Sequence, residues 1–130
     1  MAIKRSYHYD MPRIAPGNAS EIAIQASCIR RVEAQFKACM IAVPNGTYIA
    51  SKAGRGKATR EGRSKGFHDC LIIGYGPNSG MIAFAELKAR SALDPSQDAW
   101  LTTIAISGFD AGVFRSQDTL ADFLIARGWR

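Results

Sequence analysis

Two apolar runs, Asp69-Cys-Leu-Ile-Ile-Gly-Tyr75 and Met81-Ile-Ala-Phe-Ala-Glu-Leu-Lys88, stand on either side of Gly76-Pro-Asn-Ser-Gly80. Apolar runs of strand length around a Gly- and Pro-rich turn are expected to form a β-hairpin. The first run is apolar almost throughout, which places it at the centre of a sheet. The remaining elements are read as additions to this pair.

Asn18 precedes Glu21 by three residues in the spacing of a capping box, with Ser20 as the competing cap. Ile22, Ile29, Val32 and Phe36 follow at helical spacing, so a first helix is expected to about Ala38, with Arg30, Glu33 and Lys37 on its solvated face. Cys39–Val43 and Thr47–Ala50 around Pro44-Asn45-Gly46 read as an earlier hairpin. Asp94-Pro-Ser-Gln97 opens a further helix, with Asp at the cap, Pro at the first helical position and Gln three residues past the cap; Gly108 ends it. Trp100 and Ile104 on this helix are expected in the core. Val113-Phe114 forms a short strand within Phe109–Arg115. Ser116 caps a last helix with the stripe Leu120, Phe123 and Leu124, closed by Arg127 and Gly128. The expected order is αββββαβα, an α/β fold around one mixed sheet. Residues 1–17, with Pro12, Pro16 and Gly17, are expected as an N-terminal arm, and residues 18–130 as a single domain, since 130 residues cannot divide into two lobes with proper cores.

Charge is concentrated in one place. Between Ser51 and Lys65 lie Lys52, Arg55, Lys57, Arg60, Arg63 and Lys65 against the single acid Glu61, a local balance of +5 in a chain of net charge +6. Gly54, Gly56 and Gly62 remove any helical period, so the cations are expected on a loop able to wrap a polyanion, with DNA the first candidate. Such a loop carries no recognition helix, so DNA shape is expected to matter more than sequence. No apolar run approaches the ~20 residues of a membrane span, and no signal peptide is visible, which predicts a cytoplasmic chain without a membrane partner. Cys28, Cys39 and Cys70 are an odd number at unrelated spacings and are read as reduced, buried residues. His8 and His68 are too few and too far apart for a histidine metal site, so carboxylates must hold any metal.

Acids on apolar strands need a reason, because desolvating a carboxylate costs several kcal/mol. Asp69 opens one strand and Glu86 lies inside the next. The two-residue period sets Glu86 and Lys88 on one face, with Leu87 turned the other way into the core. A symmetric hairpin pairs Tyr75 with Met81 and therefore Asp69 with Leu87, and a one-residue shift or bulge is needed to align the faces. Two carboxylates and a lysine at one sheet end, beside a cationic loop, suit metal-assisted phosphodiester hydrolysis. Mg²⁺ or Mn²⁺ takes one or two carboxylates plus waters and phosphate oxygens, while Lys88 orients the attacking water or stabilises developing charge. The structural alternative is a Glu86–Lys88 ion pair at a sheet edge with Asp69 capping a strand.

Gly66-Phe-His-Asp69, Glu86-Leu-Lys88 and Gln97 resemble the PD-(D/E)xK nuclease superfamily. Glu21-Ile-Ala-Ile-Gln25, Pro44-Asn45-Gly46, Ser64-Lys65-Gly66 and Gln97-Asp-Ala-Trp100 extend the likeness, from about Glu21 to Trp129, to its VRR-NUC branch, the virus-type replication-repair nucleases. The resemblance implies a restriction-endonuclease-like core and a metal held by Asp69, Glu86 and the Leu87 carbonyl. It also implies Lys88 as the catalytic lysine, Glu21 reaching the metal or its water, and Gln97 positioning the site. Where the family most often has Pro before the aspartate, this chain has His68, which can contact phosphate. Family members of this size tend to be homodimers that cut branched DNA such as four-way (Holliday) junctions or flaps. The competing expectation is a non-catalytic DNA- or RNA-binding module on the same fold.

Overall fold

A computed structural model of the chain describes residues 5–12, 20–43 and 70–130. The turn at Pro44–Gly46, the strand expected at Thr47–Ala50, the cationic segment 51–65, His68 and Asp69 lie outside the described residues.

The described residues form an α/β fold around a mixed five-stranded sheet. In chain order the elements are β1 (His8–Tyr9), α1 (Glu21–Gln35), β2 (Ala38–Ala42), β3 (Cys70–Gly74), β4 (Ile82–Leu87), α2 (Pro95–Ile106), β5 (Asp110–Phe114) and α3 (Gln117–Ala126). The sheet order is β1-β5-β4-β3-β2. The pairs β2–β3 and β3–β4 are antiparallel, whereas β4–β5 and β5–β1 are parallel, with α2 as the crossover between β4 and β5. No helix among the described residues is long and apolar enough to cross a membrane.

Alternation along the strands sorts the side chains into two layers. Met40, Ile72, Ala85, Leu87 and Phe114 pack under α1 and α3. Ala111 and Val113 pack with Leu101 and Ile104 on the side of α2. Ser20, the competing cap, is the N-cap of α1, its hydroxyl accepting from Ala23 N at 3.1 Å, and Asn18 lies outside the described residues. The helix ends three residues earlier than expected, and its buried stripe is Ile24, Cys28 and Val32. Ile22 is 81% exposed, so spacing alone placed it on the wrong face. Cys39 is also exposed, contrary to the expectation for all three cysteines, because it alternates with the buried Ala38 and Met40; all three are free thiols. Trp100 is half-buried, beside the buried Leu101.

The N-terminal segment is more than an arm. Its residues His8 and Tyr9 pair with Gly112 and Val113, adding the edge strand β1, and Tyr7 enters the core on the α2 side. Two residues are too short for a visible period, which is why the sequence pattern missed the strand.

The β3–β4 register differs by one residue from the symmetric hairpin: Ile73 pairs with Ile82 and Cys70 with Ala85. The pairing runs on into the turn, where Gly74 N donates to Met81 O, while Tyr75 N points the other way and donates to Lys37 O, extending the β2–β3 ladder. Asn78 is fully buried beneath this turn, with Nδ2 donating to Lys37 O and Arg130 O and Oδ1 accepting from Arg130 N. A Cβ at Gly74 would stand 2.2 Å from Asn78 O, so only glycine fits there.

Asn78 thus ties the hairpin turn to the start of β2 and to residue 130. Replacing it by alanine leaves buried backbone groups without their partner, so Asn78→Ala is expected to lower unfolding stability by about 1–3 kcal/mol. A urea titration checks this, and an unchanged midpoint would contradict the latch.

Candidate active site

β4 and β5 are parallel, so their C-terminal ends share one edge of the sheet, the edge at which antiparallel β3 begins. Because Ala83, Ala85 and Leu87 turn towards α1 and α3, the intervening Glu86 faces α2. Glu86 is only 1% exposed. Gln97 Nε2 in the first turn of α2 donates to Glu86 Oε1 at 2.5 Å. Lys88 Nζ stands 3.9 Å from the same oxygen, and its side chain is mostly buried. The short contact is therefore with the amide, and the Glu–Lys pair is at the outer limit of an ion pair. A hydrogen bond to a charged group contributes about 1.5–3 kcal/mol, which offsets part of the desolvation cost of the carboxylate.

Gln97 performs both tasks open to it in the sequence. Its Oε1 accepts from Asp94 N at 3.1 Å, while Asp94 Oδ1 accepts from Ser96 N and Gln97 N, completing the capping box. The Asp94 carboxyl is held below its ordinary value by the Ser96 hydroxyl and the Gln97 amide, with a smaller contribution from the Lys88 charge. The cap therefore fixes the rotamer that brings the Gln97 amide to Glu86.

Glu21 arrives from the other layer. It is the first residue of α1, and its Oε1 accepts from Ser91 Oγ at 3.3 Å, three residues beyond Lys88. Among the described residues its hydrogen bond is to Ser91 and not to Glu86, Lys88 or Gln97. The N-termini of α1 and α2 thus lie at the same end of β4, and both helix dipoles present their positive ends there. Leu87 packs into the core as expected.

Asp69 and the cations Lys52, Arg55, Lys57, Arg60, Arg63 and Lys65 lie outside the described residues. No group of three or more His, Cys, Asp or Glu side chains gathers into a possible metal site among the described residues. The described candidates Glu86, Glu21 and the Leu87 carbonyl are all oxygen donors. This chemistry fits a hard divalent cation, which needs only one or two carboxylates and keeps several waters.

One important residue carried no sequence signal beyond a cation after an apolar strand. Arg115 is buried, with Nε donating to Asp10 O at 2.8 Å and Nη1 to Ser91 O at 3.0 Å and Ala89 O at 3.3 Å. Its backbone N donates to Asp10 Oδ2 at 2.9 Å. Burial pushes the Asp10 carboxyl up, but hydrogen bonds from His8, Thr119 and the Arg115 amide more than reverse this and leave it below its ordinary value. Arg115 thereby clamps the turn after Lys88, including the Ser91 that meets Glu21, against β1. In comparisons with known proteins, no family model, curated protein or solved structure matches the chain.

The substitution Gln97→Glu separates the two tasks of this residue. Glu at this position preserves the capping box but sets a second carboxylate against Glu86. Like charges raise the folded-state pKa of the pair above its unfolded value, so the penalty is present at neutral pH and fades as the pair takes up a proton. Gln97→Glu is expected to cost about 1–3 kcal/mol at pH 7.5 and less at pH 4.5, each relative to wild type in urea titrations at the same pH. A penalty independent of pH would contradict the Gln97–Glu86 contact.

Proposed function

We propose that the protein is a metal-dependent, structure-selective endodeoxyribonuclease of the PD-(D/E)xK type, with a restriction-endonuclease-like core of the VRR-NUC kind. The observation that carries the reading is Glu86, a buried carboxylate held by Gln97 at 2.5 Å with Lys88 at 3.9 Å on the same sheet face. Buried acids with a dedicated donor and a neighbouring cation are characteristic of functional sites. Asp69 precedes Cys70, which pairs with Ala85 beside Glu86.

In this reading Asp69, Glu86 and the Leu87 carbonyl hold Mg²⁺ or Mn²⁺, with Glu21 reaching in from α1. The ion supplies Lewis acidity, lowering the pKa of a water and neutralising charge on the phosphoryl group. Lys88 orients the attacking water or stabilises developing negative charge, and Gln97 fixes the Glu86 carboxylate. Lys52, Arg55, Lys57, Arg60, Arg63 and Lys65 bind phosphates of branched DNA, such as Holliday junctions or flaps, and offset the repulsion between DNA and the carboxylates. A homodimer working in the cytoplasm completes the reading.

One observation favours a second reading. Glu86 is almost completely buried and already hydrogen-bonded, which also suits a non-catalytic DNA- or RNA-binding module. Incubation with a labelled four-way junction, a flap and linear duplex, in Mg²⁺, Mn²⁺ or EDTA, separates the two. Metal-dependent cleavage is expected, reduced on the order of a thousandfold by Asp69→Ala or Glu86→Ala. Unchanged cleavage in both variants would overturn the site, and binding without cleavage in either metal would favour the module.

The salt dependence of binding tests the cationic segment independently. If its six cations all meet phosphates, the slope of log affinity against log salt is about −5, roughly a thousandfold loss between about 50 and 200 mM. Replacing them all by alanine should flatten the slope towards zero, and an unchanged slope would remove them from the interface.

A further inference from the structure

A cleft of about 660 Å³ opens between the N-terminal segment and the start of α2, within the ~300–1,000 Å³ range of small-ligand sites. Its walls include Arg5, Tyr7, Tyr9, Asp94, Asp98 and Thr102. It lies on the Glu86 side of the sheet. Glu86 pairs with Val113 and Val113 with Tyr9, so Tyr9 stands two strand spacings from Glu86, roughly 10 Å. The first turn of α2 serves both places: Gln97 holds Glu86, and Asp94 and Asp98 line the cleft.

The chemistry of the walls selects the ligand. The Arg5 guanidinium carbon lies 3.9 Å from the centroid of the Tyr9 ring, so the cleft presents a guanidinium plane backed by an aromatic ring, and such a plane is a surface on which a nucleobase stacks. Tyr7 OH donates to Asp98 Oδ1 at 2.6 Å. Burial, then the Asp98 hydrogen bond and charge, push the Tyr7 hydroxyl up to about 12, so it remains a proton donor at neutral pH. That bond uses one lone pair of a carboxylate that accepts about four hydrogen bonds, which leaves acceptor capacity at Asp98. Asp94 and Asp98 repel a phosphate placed in the cleft. A base with an exocyclic amino group donates to a carboxylate, as cytosine does through N4. Thymine flanks its one ring N–H with two carbonyl oxygens, which a carboxylate repels.

We propose that this cleft receives one unpaired, amino-bearing nucleobase of the DNA strand whose backbone lies at Glu86 and Lys88. The placement of the strand rests on the nuclease reading above, whereas the selectivity for the base rests on the cleft alone. A base subsite beside the backbone site favours flaps over duplex, because only an unpaired base is free to enter.

The test is fluorescence-anisotropy binding in EDTA, where metal-dependent cleavage plays no part. The probes are duplexes bearing a short flap of uniform dC, uniform dT or abasic residues, and uniform flaps remove any dependence on register. The abasic flap is expected to bind about tenfold more weakly than dC, from lost stacking, with dT between them. Asp98→Asn retains an acceptor for Tyr7 and should bring dC to the level of dT, while its far-ultraviolet circular dichroism matches wild type. Equal affinity for dC and abasic flaps, equal affinity for dC and dT in the wild type, or an undiminished dC preference in Asp98→Asn would each overturn the proposal. Free cytidine binding as tightly as the dC flap would overturn the assignment to a DNA strand. Base preference without cleavage in any metal would leave the cleft standing and sink the nuclease reading; cleavage without base preference would do the reverse.

Discussion

The burial of Glu86 is the constraint around which this end of the sheet is organised. A carboxylate on an apolar strand must recover several kcal/mol of lost hydration, and the fold recovers it from two elements at once. Gln97 supplies the short hydrogen bond, and Lys88, on the same strand face, supplies a longer-range opposite charge. Gln97 reaches the carboxylate only because α2 begins at Asp94, and α2 begins there because Asp94, Pro95 and Gln97 form a cap. Sequence, helix boundary and carboxylate environment are thus one linked system.

Much of the frame was legible because its signals are local. Asp94 with Gln97, and Ser116 with its following helix, are caps whose chemistry is complete within four residues, and both form as expected. The alternation of Glu86, Leu87 and Lys88 fixed which residue enters the core. What escaped depends on distant partners. β1 exists because β5 offers it a ladder, and two residues cannot announce that. The one-residue shift of the β3–β4 register accompanies a turn closed by Gly74 N donating to Met81 O, and the Asn78 beneath that turn is held by Lys37 O and Arg130 O, 41 and 52 positions away in the chain. Ile22 shows the same limit from the other side, since its spacing suited a helix but its face was decided by where α1 lies on the sheet.

The site shows the same division. Glu86, Lys88 and Gln97 were visible as residue types in a pattern, and the structure brings them together. Glu21 was visible too, but it arrives through Ser91, whose part depends on a turn held by Arg115. Nothing local marks Arg115. Its three carbonyl partners, Asp10 O, Ala89 O and Ser91 O, come from two separated segments, and their value appears only when the sheet is assembled.

That clamp also explains why the N-terminal segment matters to a site formed by β4 and the starts of α1 and α2. Asp10 accepts from the Arg115 amide, from Thr119 and from His8, so β1 is joined to the end of β5 and to α3. Arg115 then carries the connection across to Ala89 and Ser91. Loosening β1 would therefore release the turn after Lys88 from one side, and the Ser91 hydroxyl with it. The same two strand residues hold Tyr9 in the row of Val113 and Glu86. One short edge strand thus fixes both the turn that meets Glu21 and the aromatic wall of the neighbouring cleft, so the two places share their geometry through a common support.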